Sequence, residues 1–382
     1  MSLARFSERD RPDLAAMLPL HRAQVGAELA RRLLSEEPAS QNGTRAASSR
    51  LAAERASRLS HTAAEREPLA LRALANLALL EAASGKIDRA RGTMHSVARL
   101  SRRERVATAW LLDDAARRGE VREALALLDQ LLRESPAARQ EAMPVLVAQL
   151  ANAAMVEPVH ALLSARPPWE EAFWRTAFTS EAALGNVALL RLRLDDEGYP
   201  ANARNDSLLI GELARTGNFS AGSELYHALV GPPDPVRLAP EQPYPPFDLQ
   251  VFREETVTAS LEPQSNALRL ALYPASHGGE LLARKLVFVP GGEVLVELEM
   301  AGWSPQDREA LSLSLACAEP STTPAAASPR AIVAERETMA LRSGAPGCRW
   351  HWLEIRAAPR QRSADQVLRL EKLAVRPRAS EQ

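Results

Sequence analysis

A chain of 382 residues, 46% hydrophobic and 25% charged, has the composition of a folded globular protein with material for two ordinary domains. Its 47 basic and 48 acidic residues leave a formal net charge of -1, which offers no basic field for nucleic-acid phosphates and no acidic tail, so nucleic acid is not an expected partner. No stretch approaches the roughly 18 consecutive apolar residues of a membrane span, and the N-terminus lacks a charged-then-apolar signal pattern. Met1-Ser2-Leu3 leads straight into a polar segment, Ala4 to Asp13. Such a start leaves two expectations open for this end, an ordinary polar terminus or a remnant that replaces a missing membrane anchor or signal.

From Leu14 to Val230 the chain carries apolar residues at helical spacing, as in Leu74, Leu77 and Leu80 or Leu125, Leu128, Leu131 and Leu132. The segments Ala83 to Ala90 and Arg117 to Ala124 align with glycines at Gly85 and Gly119 and alanines at Ala90 and Ala124, a period of 34 residues. The second copy closes at Pro136. A Gly-polar-apolar turn recurs at Gly185 and Gly217, and Ala153 falls where a degenerate middle copy would lie. Glycine at the end of a first helix accepts the left-handed backbone that reverses the chain, and a small residue five positions later lets the two helices approach. Proline then prevents the second helix from continuing.

This pattern resembles the tetratricopeptide repeat, most strongly from Leu71 to Pro136 and more weakly to Val230. It departs from that family at Ala78, Glu81, Leu112 and Ala115, where Gly and Tyr are usual. The resemblance implies a TPR-like superhelix over residues 1–230 whose concave face binds protein partners, because stacked hairpins present an extended groove. The positions to inspect there are Arg117, Arg118 and Arg122, and the neighbourhood of Trp169 and Trp174. The stretches Leu100-Ser-Arg-Arg-Glu-Arg, Trp110-Leu-Leu-Asp-Asp and Arg166-Pro-Pro-Trp to Trp174 are similar to TPR-containing envelope proteins of sphingomonad-type alphaproteobacteria. That likeness implies a periplasmic or envelope-associated protein connected with cell-surface polysaccharide.

Residues 231–246 hold seven prolines, a density that excludes helix and predicts a semi-rigid extended linker. The period then changes from 3.6 to 2. Leu268, Leu270 and Leu272, then Val294, Val296, Leu298 and Met300, then Leu311, Leu313, Leu315 and Cys317, and finally Leu368 and Leu370 alternate with other residues. With Thr256 to Leu261, Leu282 to Val289 and Arg349 to Arg356 this predicts seven or eight strands in residues 247–377, followed by a short tail, 378–382. The expected fold class is therefore multidomain, α then β: a TPR-like superhelix followed by a jelly-roll-like β-sandwich.

Sandwiches of this size resemble carbohydrate-binding modules, which implies a glycan or partner site at Trp350, Trp352 and Trp303. Trp350 and Trp352 lie two positions apart and so share one face of a strand; the other reading is that both fill the sandwich core. Cys317 and Cys348 are the only cysteines. They are either two buried thiols or a disulfide, and a disulfide implies an oxidising compartment such as the periplasm.

Nucleotide, zinc-protease and hydrolase motifs are absent, the seven histidines are scattered, and the adjacent acid pairs at 36–37, 113–114 and 195–196 look like capping or solvated positions. No cofactor, metal or catalytic residue is expected. The functional expectation is a non-catalytic scaffold in envelope polysaccharide assembly or export. The alternatives are a polysaccharide lyase, whose helical-toroid-plus-sandwich architecture is related, and a cytoplasmic TPR adaptor with free thiols.

Overall fold

The computed structural model describes residues 27, 30, 43–101, 104–231, 238–241, 243–254, 257–272, 280–301, 311–319, 328–357 and 366–377. Within them an N-terminal helical region of eleven α-helices precedes a C-terminal region of two antiparallel sheets. None of the helices is long and apolar enough to cross a membrane. The chain divides into two compact units, residues 1–143 with 161–170, and residues 144–160 with 171–382. The helical run expected over 1–230 is thus shared between them.

In the first unit, α1 (Gly43–Arg66), α2 (Leu71–Ala83), α3 (Ile87–Leu100), α4 (Arg105–Arg118) and α5 (Val121–Glu134) pack as successive neighbours. Their core is built from Ala75, Ala78, Ala90, Met94, Val97, Ala107 and Leu111, so small residues let α2, α3 and α4 approach. The turns are made as the glycine spacing predicts. Gly85 (φ 83°) and Gly119 (φ 74°) adopt left-handed backbone. After each, the next amide donates back to the helix just ended, Lys86 to the Glu81 carbonyl and Glu120 to the Ala115 carbonyl, both at 2.9 Å. That is the Schellman arrangement, which satisfies carbonyls a helix end would otherwise leave unpaired. Pro136 opens α6 (Pro136–Gln149) immediately after α5.

Arg91 on α3 grips Asp114 on α4 with Nε at 2.7 Å and Nη2 at 3.2 Å, and Arg118 adds a further bond to the same carboxylate. The Arg91 guanidinium holds the Asp114 carboxyl below the ordinary aspartate value, against the opposing effect of burial. Asp113 is exposed and pairs with Arg117. The 113–114 acid pair is therefore split, one member solvated and the other a buried tie between helices.

In the second unit, α9 (Leu184–Asp196), α10 (Ala203–Arg215) and α11 (Phe219–Val230) pack on one another. Arg191 and Asp206, each 3% exposed at the side chain, form a bidentate pair at 2.7 and 3.1 Å, with Asp195 at 3.1 Å. Gly217 (φ 79°) makes the expected turn. Gly185 does not: it sits in the first turn of α9, and the same Schellman turn is made instead by Gly198 (φ 76°), where Tyr199 donates to the Leu194 carbonyl.

The sheets run β1–β5–β10–β7–β8 and β2–β3–β4–β11–β6–β9. The long strands are β3 (Val257–Glu262), β4 (Ala267–Leu272), β5 (Leu281–Phe288), β6 (Glu293–Ala301), β7 (Leu311–Cys317), β9 (Arg336–Arg342), β10 (Trp350–Ala357) and β11 (Gln366–Pro377). Strands β1 (Gln250–Val251), β2 (Arg253–Glu254) and β8 (Arg330–Ala331) have two residues each. Both sheets contribute to one apolar core, including Leu268, Leu270, Val296, Leu298, Leu313, Leu315, Leu353, Ile355 and Leu370. In β6 and most of β10 burial alternates with a period of two, whereas in β7 the serines between the leucines are buried as well.

The described part of the proline segment is packed rather than extended clear of the sheets. Leu238, Ala239 and Pro240 are buried, and the amides of Leu238 and Ala239 both donate to Asn266 Oδ1 at 2.9 Å. Tyr244, Phe247 and Leu249 are buried as well. Leu238 and Leu249 join the core between the sheets, while Tyr244 and Phe247 pack against Tyr226 of α11.

Candidate binding face

The two sheets differ in what they turn away from the shared core. The outward residues of the six-stranded sheet form a ladder of opposite charges: Arg336 with Glu299, Arg342 with Glu293, Lys372 and Arg376 with Glu297, and Arg369 with Glu262. Such a face is suited to solvent. The five-stranded sheet turns out aromatic residues, and part of that face is covered within the same unit by α11 and residues 244–249.

On β10, His351, Leu353, Ile355 and Ala357 are buried and point to the core, so Trp350, Trp352, Glu354 and Arg356 point away from it. The two tryptophans do share one face, and it is the outer one. Trp350 is only 7% exposed, because Phe219 of α11, Phe247 and Phe288 surround its ring at centroid distances of 5.8, 5.9 and 5.0 Å. The cover is locked by Tyr226 of α11, which stacks on Phe247 and donates its hydroxyl to Asp248 at 2.8 Å. Gly222 permits this approach, since a Cβ there would lie 3.2 Å from the Phe247 ring. Trp350 is therefore a packing residue joining helix and sheet, not a free platform.

Trp352 is partly exposed. The guanidinium carbon of Arg284, on the neighbouring strand β5, lies 4.0 Å from the centre of its ring and 5.4 Å from that of Phe252, cation–π geometry in both cases. Gln250 Oε1 accepts from Arg284 Nε at 2.9 Å. Burial pushes the Arg284 guanidinium below the ordinary arginine value, while the charge of Glu354 acts in the opposite direction. Glu354 faces Arg284 across the ladder but accepts its hydrogen bond from Arg356 Nε, at 2.9 Å. Trp303 lies outside the described residues.

The positions expected on a solenoid surface separate into two groups. Arg117, Arg118 and Arg122 are exposed, with Arg117 on Asp113 and Arg118 shared among Asp114, Glu120 and Glu123. Trp169 and Trp174 are buried at 1% and 5% exposure. The Trp169 indole donates to Asp129 on α5 at 2.8 Å, and Trp174 packs edge-on against Phe173. These two tryptophans hold the interior of their own units.

Cys317 and Cys348 are joined, with sulfurs 2.04 Å apart, tying the end of β7 to the residues just before β10. Among the described residues no group of three His, Cys, Asp or Glu could hold a metal ion. An open recess beside β8 and β9 is lined by Glu293, Arg330, Arg342 and Ser343, but Arg342 is paired with Glu293 and Arg330 donates to the Ala340 carbonyl.

Sequence reasoning reached Trp352 and missed Arg284, Gln250 and Phe252, which come from two other segments. The chain matches no protein-family model, and no curated protein matches it.

Proposed function

We propose that the chain is a non-catalytic scaffold of the bacterial cell envelope, in which a TPR-like helical superhelix binds protein partners and a jelly-roll-like sandwich engages cell-surface polysaccharide. The observation that carries this reading is the partly exposed Trp352 with Arg284, Gln250 and Phe252 around it, on a sheet face that is aromatic among the described residues. Flat C–H faces of sugar rings pack on aromatic rings, and hydroxyls need nearby polar partners. The joined Cys317 and Cys348 favour an oxidising compartment. The exposed Arg117, Arg118 and Arg122 on neighbouring α4 and α5 offer a polar surface for a protein partner.

The test of the sandwich is retention of the full chain on polysaccharide purified from the surface of its own host. Retention that weakens about tenfold or more in Trp352→Ala supports the reading, and passage of the wild-type chain without retention overturns it. The compartment is checked by intact mass of the host-made protein after alkylation without reductant. A bridged mass is expected, and two alkylated thiols move the protein to the cytoplasmic adaptor.

A further inference from the structure

We propose that Arg284 and Trp352 form a subsite for the carboxylate of an acidic sugar, a uronic acid unit within a polysaccharide. The inference rests on the reading of this face as glycan-binding and adds the charge class of the sugar.

Arg284 is a partly buried cation that makes no ion pair among the described residues. Arg284 stacks on Trp352 and Phe252 and gives its Nε to the neutral acceptor of Gln250. Among the described residues no carboxylate lies within ion-pair distance of its guanidinium. Glu354, the acid opposite, is held by Arg356 at 2.9 Å. The outward basic residues Arg336, Arg342, Arg369 and Lys372 of the other sheet each hold a carboxylate. A positive charge partly withdrawn from water without a partner bears a desolvation cost that a bound anion offsets.

The geometry also selects among anions. With Nε engaged and the guanidinium lying on the indole, the two Nη groups remain as a planar pair, the arrangement that binds a carboxylate through two parallel hydrogen bonds. The guanidinium covers one face of the indole, and the exposed remainder of the Trp352 ring is what the C–H groups of the pyranose that bears the carboxylate can meet. An acidic peptide is the less suitable occupant. Both β5 and β10 are paired on both sides, β5 by β1 and β10, β10 by β5 and β7, so neither presents an open backbone edge to an extended chain. Recognition here falls to side chains on a sheet face.

The experiment is affinity electrophoresis of the full, disulfide-bonded chain through native gels containing polygalacturonate, its fully methyl-esterified form, or poly-L-glutamate. Polygalacturonate is expected to retard the chain at a concentration about tenfold or more below that needed of the ester, a difference Arg284→Gln removes and Arg284→Lys partly keeps. Glu354→Gln, which takes away the neighbouring negative charge, is expected to strengthen retardation by polygalacturonate; a fold-damaging substitution would not produce that gain. Equal retardation by the two galacturonans, or a Glu354→Gln variant with no gain, overturns the carboxylate subsite and leaves the glycan reading standing. Retardation by poly-L-glutamate as strong as by polygalacturonate overturns the choice of a sugar. Failure of all three polymers to retard the chain overturns the subsite, while retention on the host polysaccharide reports separately on the broader reading.

Discussion

At the scale of single residues, His351 is the least expected occupant of its place. It is fully buried on the inward side of β10, opposite Cys317 on β7 and Val287 on β5, and neither ring nitrogen makes a hydrogen bond. Burial pushes its pKa below the ordinary histidine value, and the charge of Glu319 only partly opposes this. The folded state therefore prefers the neutral ring, whereas the unfolded chain takes up a proton near pH 6.5, an ordinary value for histidine at about that pH. A depressed folded pKa means that the stability is fully present above the unfolded value and is lost as pH falls through it towards the folded one. Denaturant melts from pH 7.5 to 5 are expected to show stability declining below about 6.5 in the wild type. His351→Leu removes that share of the decline and, by deleting two unpaired polar atoms, stabilises the protein at pH 7.5 by about 1 kcal/mol. A variant with an unchanged acid slope would show that other groups produce it.

At the scale of elements, the buried Arg191–Asp206 pair decides how α9 meets α10. Two charges with side chains 3% exposed gain little net stability from each other, because desolvation consumes most of the attraction. Removing one partner is another matter. Asp206→Ala is expected to destabilise by about 3 kcal/mol, at the low end for a broken buried pair because Asp195 stays within reach of Arg191. The double variant Arg191→Met with Asp206→Leu is expected to recover most of the loss, so a denaturant-melt cycle with strong coupling distinguishes a buried pair from two independent packing residues. The sequence carried the helices and the long strands because their periods are strong, and it carried less where a signal was short or ambiguous. Strand β9 was not among the expected strands: only Met339 and Leu341 in Arg336–Arg342 are buried, too few to establish a period, and two-residue strands have none. Gly185 and Gly198 show that a Gly-polar-apolar triplet does not specify a left-handed turn, since helix length decides which glycine ends the helix. The shared face of Trp350 and Trp352 was legible. That it is the outer face was signalled by Glu354 and Arg356, which have the same parity on the strand. Arg284 was not legible, because its contact with Trp352 is a diagonal across two strands whose register only the fold sets.

At the scale of the whole molecule, two compact units with separate apolar cores predict that unfolding is not a single transition. The disulfide belongs to one of them. It closes a loop with a sequence separation of 31, and on a chain-entropy basis such a loop contributes about 3 to 4 kcal/mol by restricting the unfolded state. That amount corresponds to a fall of roughly 10 °C in Tm for a unit of this size. Calorimetry with and without reductant is expected to show two transitions, one of which moves by about that much while the other stays in place. The double variant Cys317→Ser with Cys348→Ser should reproduce the shift without reductant, which separates loss of the bridge from any other effect of the reagent. A joint movement of both transitions would mean that the units unfold as one, and no movement of either would mean that the bridge restrains a segment already restrained by the sheet, since Cys317 and His351 are paired across β7 and β10. The bridge lies at the same end of β10 as Trp350, so its loss is expected to loosen the β7–β10 junction before it reaches Arg284, which faces Glu354 further along the strand. Polysaccharide retention measured below the shifted transition should therefore survive reduction.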